Sequence, residues 1–404
     1  MHREERVGEV FRAFLKLGVT SFGGPVAHLG YFREELIARR KWASESQYAE
    51  LVALCQFLPG PASSQVGFAL GLLRAGWLGA LAAWTAFTLP SALLLVLFAI
   101  GAVGLDGPLG HGLLVGLKAV AVAVVAHAVW GMARTLTPDL RRLLIGLFAA
   151  ALCLLLPGNV GQIAAIVAGL IAGVLWCGGV ADESSEPLAI RVSRRVGISA
   201  LLLCVLMLAA LPILVRVTQN SWIGIADAFS RAGALVFGGG HVVLPLLQAE
   251  PAVSGGVTHE QFLAGYGAVQ AVPGPLFTFA AYLGFEMESG LAAGILGALL
   301  ALVSVFLPGM LLLVAALPFW SRLRASAGAR SALAGAGAAV VGILAAALCT
   351  PVITSGITGI VPLLIALACL AMLLVWKLPA WLVVIGGACA GLVAGLLGIP
   401  VGWV

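Results

Sequence analysis

Charge is scarce in this chain: only 10% of its 404 residues are Asp, Glu, Lys or Arg, against 61% hydrophobic residues and a mean hydropathy of +1.10. A soluble globule of that composition would lack the polar residues to cover its surface, which excludes soluble enzymes and cytosolic binding modules. Short segments of alternating hydrophobicity are missing too. Apolar runs of about 18 to 25 residues stand in their place, so membrane-spanning helices are expected rather than a barrel. Paired cysteines are absent: the seven stand singly in apolar sequence with no Cys-x-x-Cys, and they read as small core residues, with no metal or cofactor expected. There is no polybasic tail or basic-aromatic stretch suited to nucleic acid, and the net charge of +5 is assigned to cytoplasmic loops. The charged start at 1–6 leads into residues 11–19 without a small-residue cleavage site, so no removable signal is expected and the amino terminus is placed in the cytoplasm.

What the chain does have is two breaks buried in apolar sequence, Gln56-Phe-Leu-Pro-Gly-Pro-Ala-Ser-Ser-Gln65 and Gln270-Ala-Val-Pro-Gly-Pro-Leu-Phe-Thr278. Pro59 ends a helix at Leu58, Gly60 permits a sharp turn, and Pro61 suits the first position of a new helix. Ser63 and Ser64 then lie in a first turn whose amides have no intrahelical acceptor, which is the geometry of an anion site. Glycine-rich breaks at Gly23-Gly24-Pro25 and Gly238-Gly239-Gly240 precede each of them. The whole arrangement repeats. Phe22-Gly23-Gly24 recurs as Phe237-Gly238-Gly239, Glu35 as Glu250, Gln56 as Gln270, Pro59-Gly60-Pro61 as Pro273-Gly274-Pro275, and Leu89-Pro90 as Leu307-Pro308, at an offset of 214 to 218 residues throughout.

The expected fold class is therefore an all-α polytopic membrane protein of two inverted repeats, 1–180 and 221–404, joined by a polar linker and one inverting span in 181–220. Plain spans are expected at 76–102, 112–134, 141–157 and 160–178, at 196–217, and at 288–317, 329–349, 357–375 and 379–398. Loops 101–110 and 157–161 carry no Lys or Arg, whereas 134–142 and 181–195 hold six Arg, so the former face outward and the latter inward. The segments around each break are expected to be re-entrant hairpins, because cations at both ends of the first one keep both ends inside. Glu34 and Glu35 are expected on a solvated face.

Inverted repeats with broken helices at the midplane are the architecture of secondary transporters, and the breaks point to the substrate site. Each helix start offers roughly half a positive charge, so four converging breaks supply about two, enough for a divalent oxyanion. Candidate substrate residues are Gly23, Gly24, Pro25, Pro59, Gly60, Pro61, Ser63, Ser64, Gln65, Gly238, Gly239, Gly240, Pro273, Gly274, Pro275 and Thr278. Set against this, Gly-Gly and Pro-Gly-Pro also serve as packing or kinking devices, the hydroxyls also satisfy local backbone, and Gln56 and Gln270 read equally as caps. Coupling or charge candidates are His28, His241 and Lys118. The histidines follow the glycine breaks at non-matching positions, with Val243 opposite His28 and Val26 opposite His241. Either could carry a proton or stand as a neutral hydrogen-bonded ring, and His127 has the same two readings. Lys118 either reaches the anion or snorkels to the interface.

The motifs Phe22-Gly-Gly-Pro-Val-Ala-His-Leu-Gly-Tyr-Phe-Arg-Glu-Glu35, Gln56 to Gly67, Phe237-Gly-Gly-Gly-His-Val-Val-Leu-Pro245 and Gly265 to Pro275 resemble the chromate ion transporter family, in its full-length two-repeat form. The resemblance implies a plasma-membrane carrier that expels chromate, confers resistance to it and is driven by the proton-motive force, with sulfate as a structural analogue. Composition and spacing alone reach only a transporter with anion sites. They leave standing an uptake carrier for sulfate, a channel, a membrane-embedded enzyme acting on a lipid phosphate, and either a monomer or a homodimer.

Overall fold

The computed structural model describes residues 3–102, 108–156, 159–178, 190, 192–237 and 240–397, and these are helical with no strand among them. Gly238 and Gly239 lie outside the described residues, as does most of the linker. The first half comprises α1 (Arg3–Thr20), α2 (Gly24–Phe32), which continues as a π-helical turn over Arg33–Arg39, α3 (Glu45–Phe57), α4 (Ala62–Ala102), α5 (Pro108–Leu136), α6 (Leu140–Leu155) and α7 (Asn159–Trp176). After α8 (Arg194–Thr218) the second half runs through α9 (Ser221–Leu235), α10 (Val243–Gln248), α11 (Pro251–Gly256), α12 (His259–Val269), α13 (Phe279–Glu286), α14 (Leu291–Ala316), α15 (Trp320–Ala325), α16 (Ala327–Ala347), α17 (Thr354–Gly356), α18 (Ile360–Leu374) and α19 (Ala380–Leu396).

Local signals repeat along with the motifs. Ser44 caps α3 in a capping box with Gln47, and Thr258 caps α12 in a capping box with Gln261. Continuous α4 is in fact a hairpin. Gly76, at φ 70°, reverses the chain, so that Gly71 meets Gly79 and Ala83 across the turn, and Gly290, at φ 89°, makes the matching turn between α13 and α14. Five described helices are long and apolar enough to span a bilayer, counting this one. The remaining expected spans, α6, α7, α18 and α19, have 16, 18, 15 and 17 residues. At 1.5 Å per residue they reach about 22 to 27 Å, short of a core of about 30 Å.

The broken segments also reverse at their tips. Gln261 bonds Glu286, and Gly265 packs on Tyr282, so α12 and α13 run antiparallel around Pro273-Gly274. In the first hairpin Lys16 pairs with Glu35 at 2.8 Å, and in its counterpart Arg231 pairs with Glu250 at 3.0 Å. These are equivalent positions, so each glycine hairpin is closed at its open end by a cation on one limb and a carboxylate on the other. The expected solvated face is thus corrected at Glu35, which is 8% exposed and also bound by Arg40. The adjacent Lys16 ammonium holds its carboxyl below the usual carboxylate range.

Outside the hairpins the halves exchange helices. α5 packs on α19 and α18, while its counterpart α16 packs on α7 and α6. Small residues permit this: Gly112 and Gly116 face Gly391 and Gly387, and Ser331 and Gly335 face Gly173 and Gly169, so a Cβ on any of these glycines would meet backbone across the contact, except at Gly387, where it would meet the Val120 side chain.

Candidate oxyanion site

The four breaks meet. The Gly60 amide donates to the Val236 carbonyl at 2.7 Å, and the Gly274 amide donates to the Ser21 carbonyl at 2.9 Å. Each Pro-Gly-Pro tip is therefore bonded to the residue two positions before the glycine break of the other half. Gly60 and Gly274 sit at φ 118° and 103°, and each lies against the long helix of the opposite half just past its internal proline. A Cβ on Gly60 would stand 2.9 Å from Gly309 Cα, and one on Gly274 would stand 2.9 Å from Ser91 Oγ. Gly240 closes the group, lying against Pro25 and Leu276.

Polar side chains gather on one side of this crossing. His28 Nδ1 and Ser63 Oγ are 3.4 Å apart, both residues are buried, and the imidazole stands edge-on to Phe87 and beside the Ser21 backbone. His28 Nε2, Ser21 Oγ, Ser64 Oγ and Thr88 Oγ1 are buried without a hydrogen-bond partner among the described residues. Because the first intrahelical bond of α4 runs from the Gln65 amide to the Pro61 carbonyl, the amides of Ala62, Ser63 and Ser64 have no acceptor within their own helix. This is a set of donors with few acceptors to use them.

Two sequence candidates take scaffold positions instead. Gln65 Nε2 donates to the Pro59 and Gly309 carbonyls at 3.0 and 2.8 Å, so its donors hold the tip and only its acceptor oxygen is left. The Thr278 hydroxyl donates to the Pro275 carbonyl at 2.7 Å. Pro59, Pro61, Pro273 and Pro275 shape the tips, while Gly23, at φ 99°, is exposed and Gly24 has open space where a Cβ would stand. Lys118 is not at the crossing. Its buried ammonium is 3.2 Å from Glu260 in the first turn of α12, turned away from the tip, although the neighbouring Leu117 carbonyl lies against Gly267 near the other end of that helix. His241 lies on the second-half side, its Nδ1 2.7 Å from the hydroxyl of buried Tyr266, with Gln270 beside that hydroxyl. Tyr266 escaped sequence reasoning. Its signal was available, since Val52 occupies the equivalent position in the first half.

A profile of the chromate transporter family matches residues 8–175 and 223–392, one match in each half. The chain belongs to the chromate transporter family. It is 30% identical over 346 residues to the chromate transport protein of Pseudomonas aeruginosa, covering 84% of this chain and 79% of that one. It is also 29% identical over 391 residues to the chromate transport protein of Cupriavidus metallidurans, covering 94% and 91%. A probable chromate transport protein of Synechococcus elongatus is 30% identical over 327 residues, covering 80% and 78%. No solved structure matches it. This chromate transporter family member is a multi-pass membrane transport protein, not an enzyme, and its two repeats are the two halves of the fold.

Proposed function

We propose that the protein is a secondary carrier of a divalent tetrahedral oxyanion, that chromate is the substrate it expels from the cell, and that the anion binds where the four breaks cross. The observation that supports this most is the pair of reciprocal bonds from Gly60 to Val236 and from Gly274 to Ser21, which brings helix starts with uncommitted amides to one place. On this reading the protein sits in the plasma membrane with its amino terminus inside, and its halves are inverted. Its first-half hairpins enter from the cytoplasm and its second-half hairpins from outside. Limbs of 11 to 13 residues, as in α3 and α12, reach about 17 to 20 Å, about half of a full bilayer. The proton-motive force drives transport, with His241 and Tyr266 as the proton-carrying pair, since a buried imidazole bonded to a phenol can take up and pass on a proton without leaving the membrane.

Uptake and efflux of labelled chromate and sulfate in proteoliposomes with an imposed pH gradient test substrate, direction and coupling together. Saturable chromate flux that follows the gradient is the expected result. Flux of sulfate with no response to chromate would make the protein a sulfate carrier. Flux that does not saturate would make it a channel.

A further inference from the structure

We propose that the oxyanion is held by the first half alone, in a pocket of uncharged donors around His28, and that the second half supplies only the backbone that shapes it. This rests on the oxyanion reading above and narrows it from a shared cage to a one-sided site.

The backbone repeats closely enough to pair residues across halves: Gly18 packs on the Phe87 carbonyl as Gly233 packs on that of Val305, and Gly274 meets Ser91 as Gly60 meets Gly309. Through this register Ser21 corresponds to Val236, His28 to Val243, Ser63 to Phe277 and Thr88 to Phe306. Each polar residue on the first-half side faces an apolar counterpart. Ser64 is the exception, since its counterpart is Thr278, but that hydroxyl is committed to Pro275. A ligand centred between the halves would draw on side chains of both equally, and the second half has no free side-chain donor at these positions, while its buried Gln270 Nε2 lies beside the Tyr266 hydroxyl.

The first-half side has donors that nothing else uses. His28 is 1% exposed, and when its Nδ1 accepts from the Ser63 hydroxyl the ring proton lies on Nε2, which has no partner. Burying such groups unsatisfied is costly, so a site that keeps several of them is built for a ligand rich in acceptors. The full charges that could have served lie elsewhere: Lys16 and Arg231 close the hairpins, and Lys118 bonds Glu260. Recognition by neutral donors and a helix start suits a dehydrated oxyanion that must be released again, because no fixed cation holds it.

Equilibrium binding of labelled chromate and of sulfate to the purified full-length protein tests this. His28→Val, which copies the second half into the first, and Ser64→Ala are each expected to weaken binding by about 10- to 150-fold, the value of one hydrogen bond to a charged group. His28→Gln, which keeps an N–H donor, should recover most of the loss. Val243→Ala and Phe306→Leu, the mirror changes, should leave affinity within about threefold. If the mirror changes weaken binding as much as the first-half ones, the site is a shared cage and this inference falls while the oxyanion reading stands. Unaltered binding in both His28→Val and Ser64→Ala would overturn it equally. Should the parent protein bind neither anion, the oxyanion reading itself fails. Thermal unfolding of each variant identifies any loss that comes from misfolding, and Ser64→Ala, a deletion of one oxygen, carries the test if His28→Val does not fold.

Discussion

Set side by side, the two halves have glycine at the same left-handed turns, Gly60 with Gly274 and Gly76 with Gly290. They have the same capping box, the same ion pair at the mouth of the glycine hairpin and the same exchanged helix packing. Their side chains at the crossing share almost nothing. Ser21, His28, Ser63 and Thr88 on one side stand against Val236, Val243, Phe277 and Phe306 on the other, while His241 and Tyr266 stand against Val26 and Val52. Backbone geometry is what lets four hairpins meet, so it is constrained twice over. Which polar groups then occupy the meeting point is free to differ, and the halves have divided the chemistry between them.

If that division is right, backbone changes should act alike in both halves. Gly60→Val and Gly274→Val are expected to abolish transport in vesicles normalised to membrane protein, because both turns need a positive φ and both lie against the opposite half. Gly60→Ala should be the more severe of the alanine pair, since its Cβ meets the Cα of Gly309, whereas the Cβ at Gly274 meets a serine oxygen that can turn away. Wild-type transport in both valine variants would reduce the breaks to packing features.

The hairpin clamps should separate the halves by burial. Arg231→Ala removes a guanidinium shared by Asp227 and Glu250, whose side chain is 3% exposed, and should lower stability by about 3 kcal/mol. Lys16→Ala removes an ammonium that is 54% exposed and should cost less than about 1 kcal/mol in thermal or denaturant unfolding. The Lys16 clamp also has a pH signature. The folded-state pKa of Glu35 lies below its unfolded value, so its contribution is complete above the ordinary carboxylate pKa and is lost as pH falls through the lower, folded one. Acid unfolding of Lys16→Ala should therefore show a weaker pH dependence in that window than the parent. Equal losses from the two alanine variants would mean that burial does not distinguish the clamps.

Lys118→Gln should change little at the oxyanion site. Its partner Glu260 is 72% exposed, so a loss of about 1 kcal/mol in stability is expected, with chromate affinity within about twofold of the parent. A large loss of affinity would return the lysine to the site. Cysteines placed at Arg40 and Glu260 should leave function untouched and label from opposite faces of the membrane. Labelling from one face would remove the inverted arrangement.

The breaks, the repeat and the hairpin reversals were legible because each has a local cause, in proline, glycine or a capping residue. What joins them was not. The bond from Gly60 to Val236 spans 176 positions of sequence, and no residue pattern near either end announces it. Lys118 could be read as buried, but its carboxylate partner lies 142 residues away. Glu35 looked solvated because it follows the first break toward the cytoplasmic end, whereas Lys16, one limb back, and Arg40 hold it in a buried ion cluster. The exchanged helices left a trace that could have been read: Gly112 and Gly116, Gly169 and Gly173, Gly387 and Gly391 are spaced by four, the interval at which small residues line one face of a helix.

That exchange also sets the order in which the chain can mature. The glycine faces of α5 and α7 are made early in synthesis, but α16 and α19, which cover them, arrive only after the linker and most of the second half have emerged. Until then the first half must wait in the lipid with its closest-packing surfaces bare, so biogenesis ends with a docking step rather than with successive completion of two domains. The contacts made in that docking lie on helix faces, and the linker's part is to raise the effective concentration of one half for the other. Two polypeptides cut between α7 and α8 and made together should assemble into the same molecule, and neither should survive quality control alone.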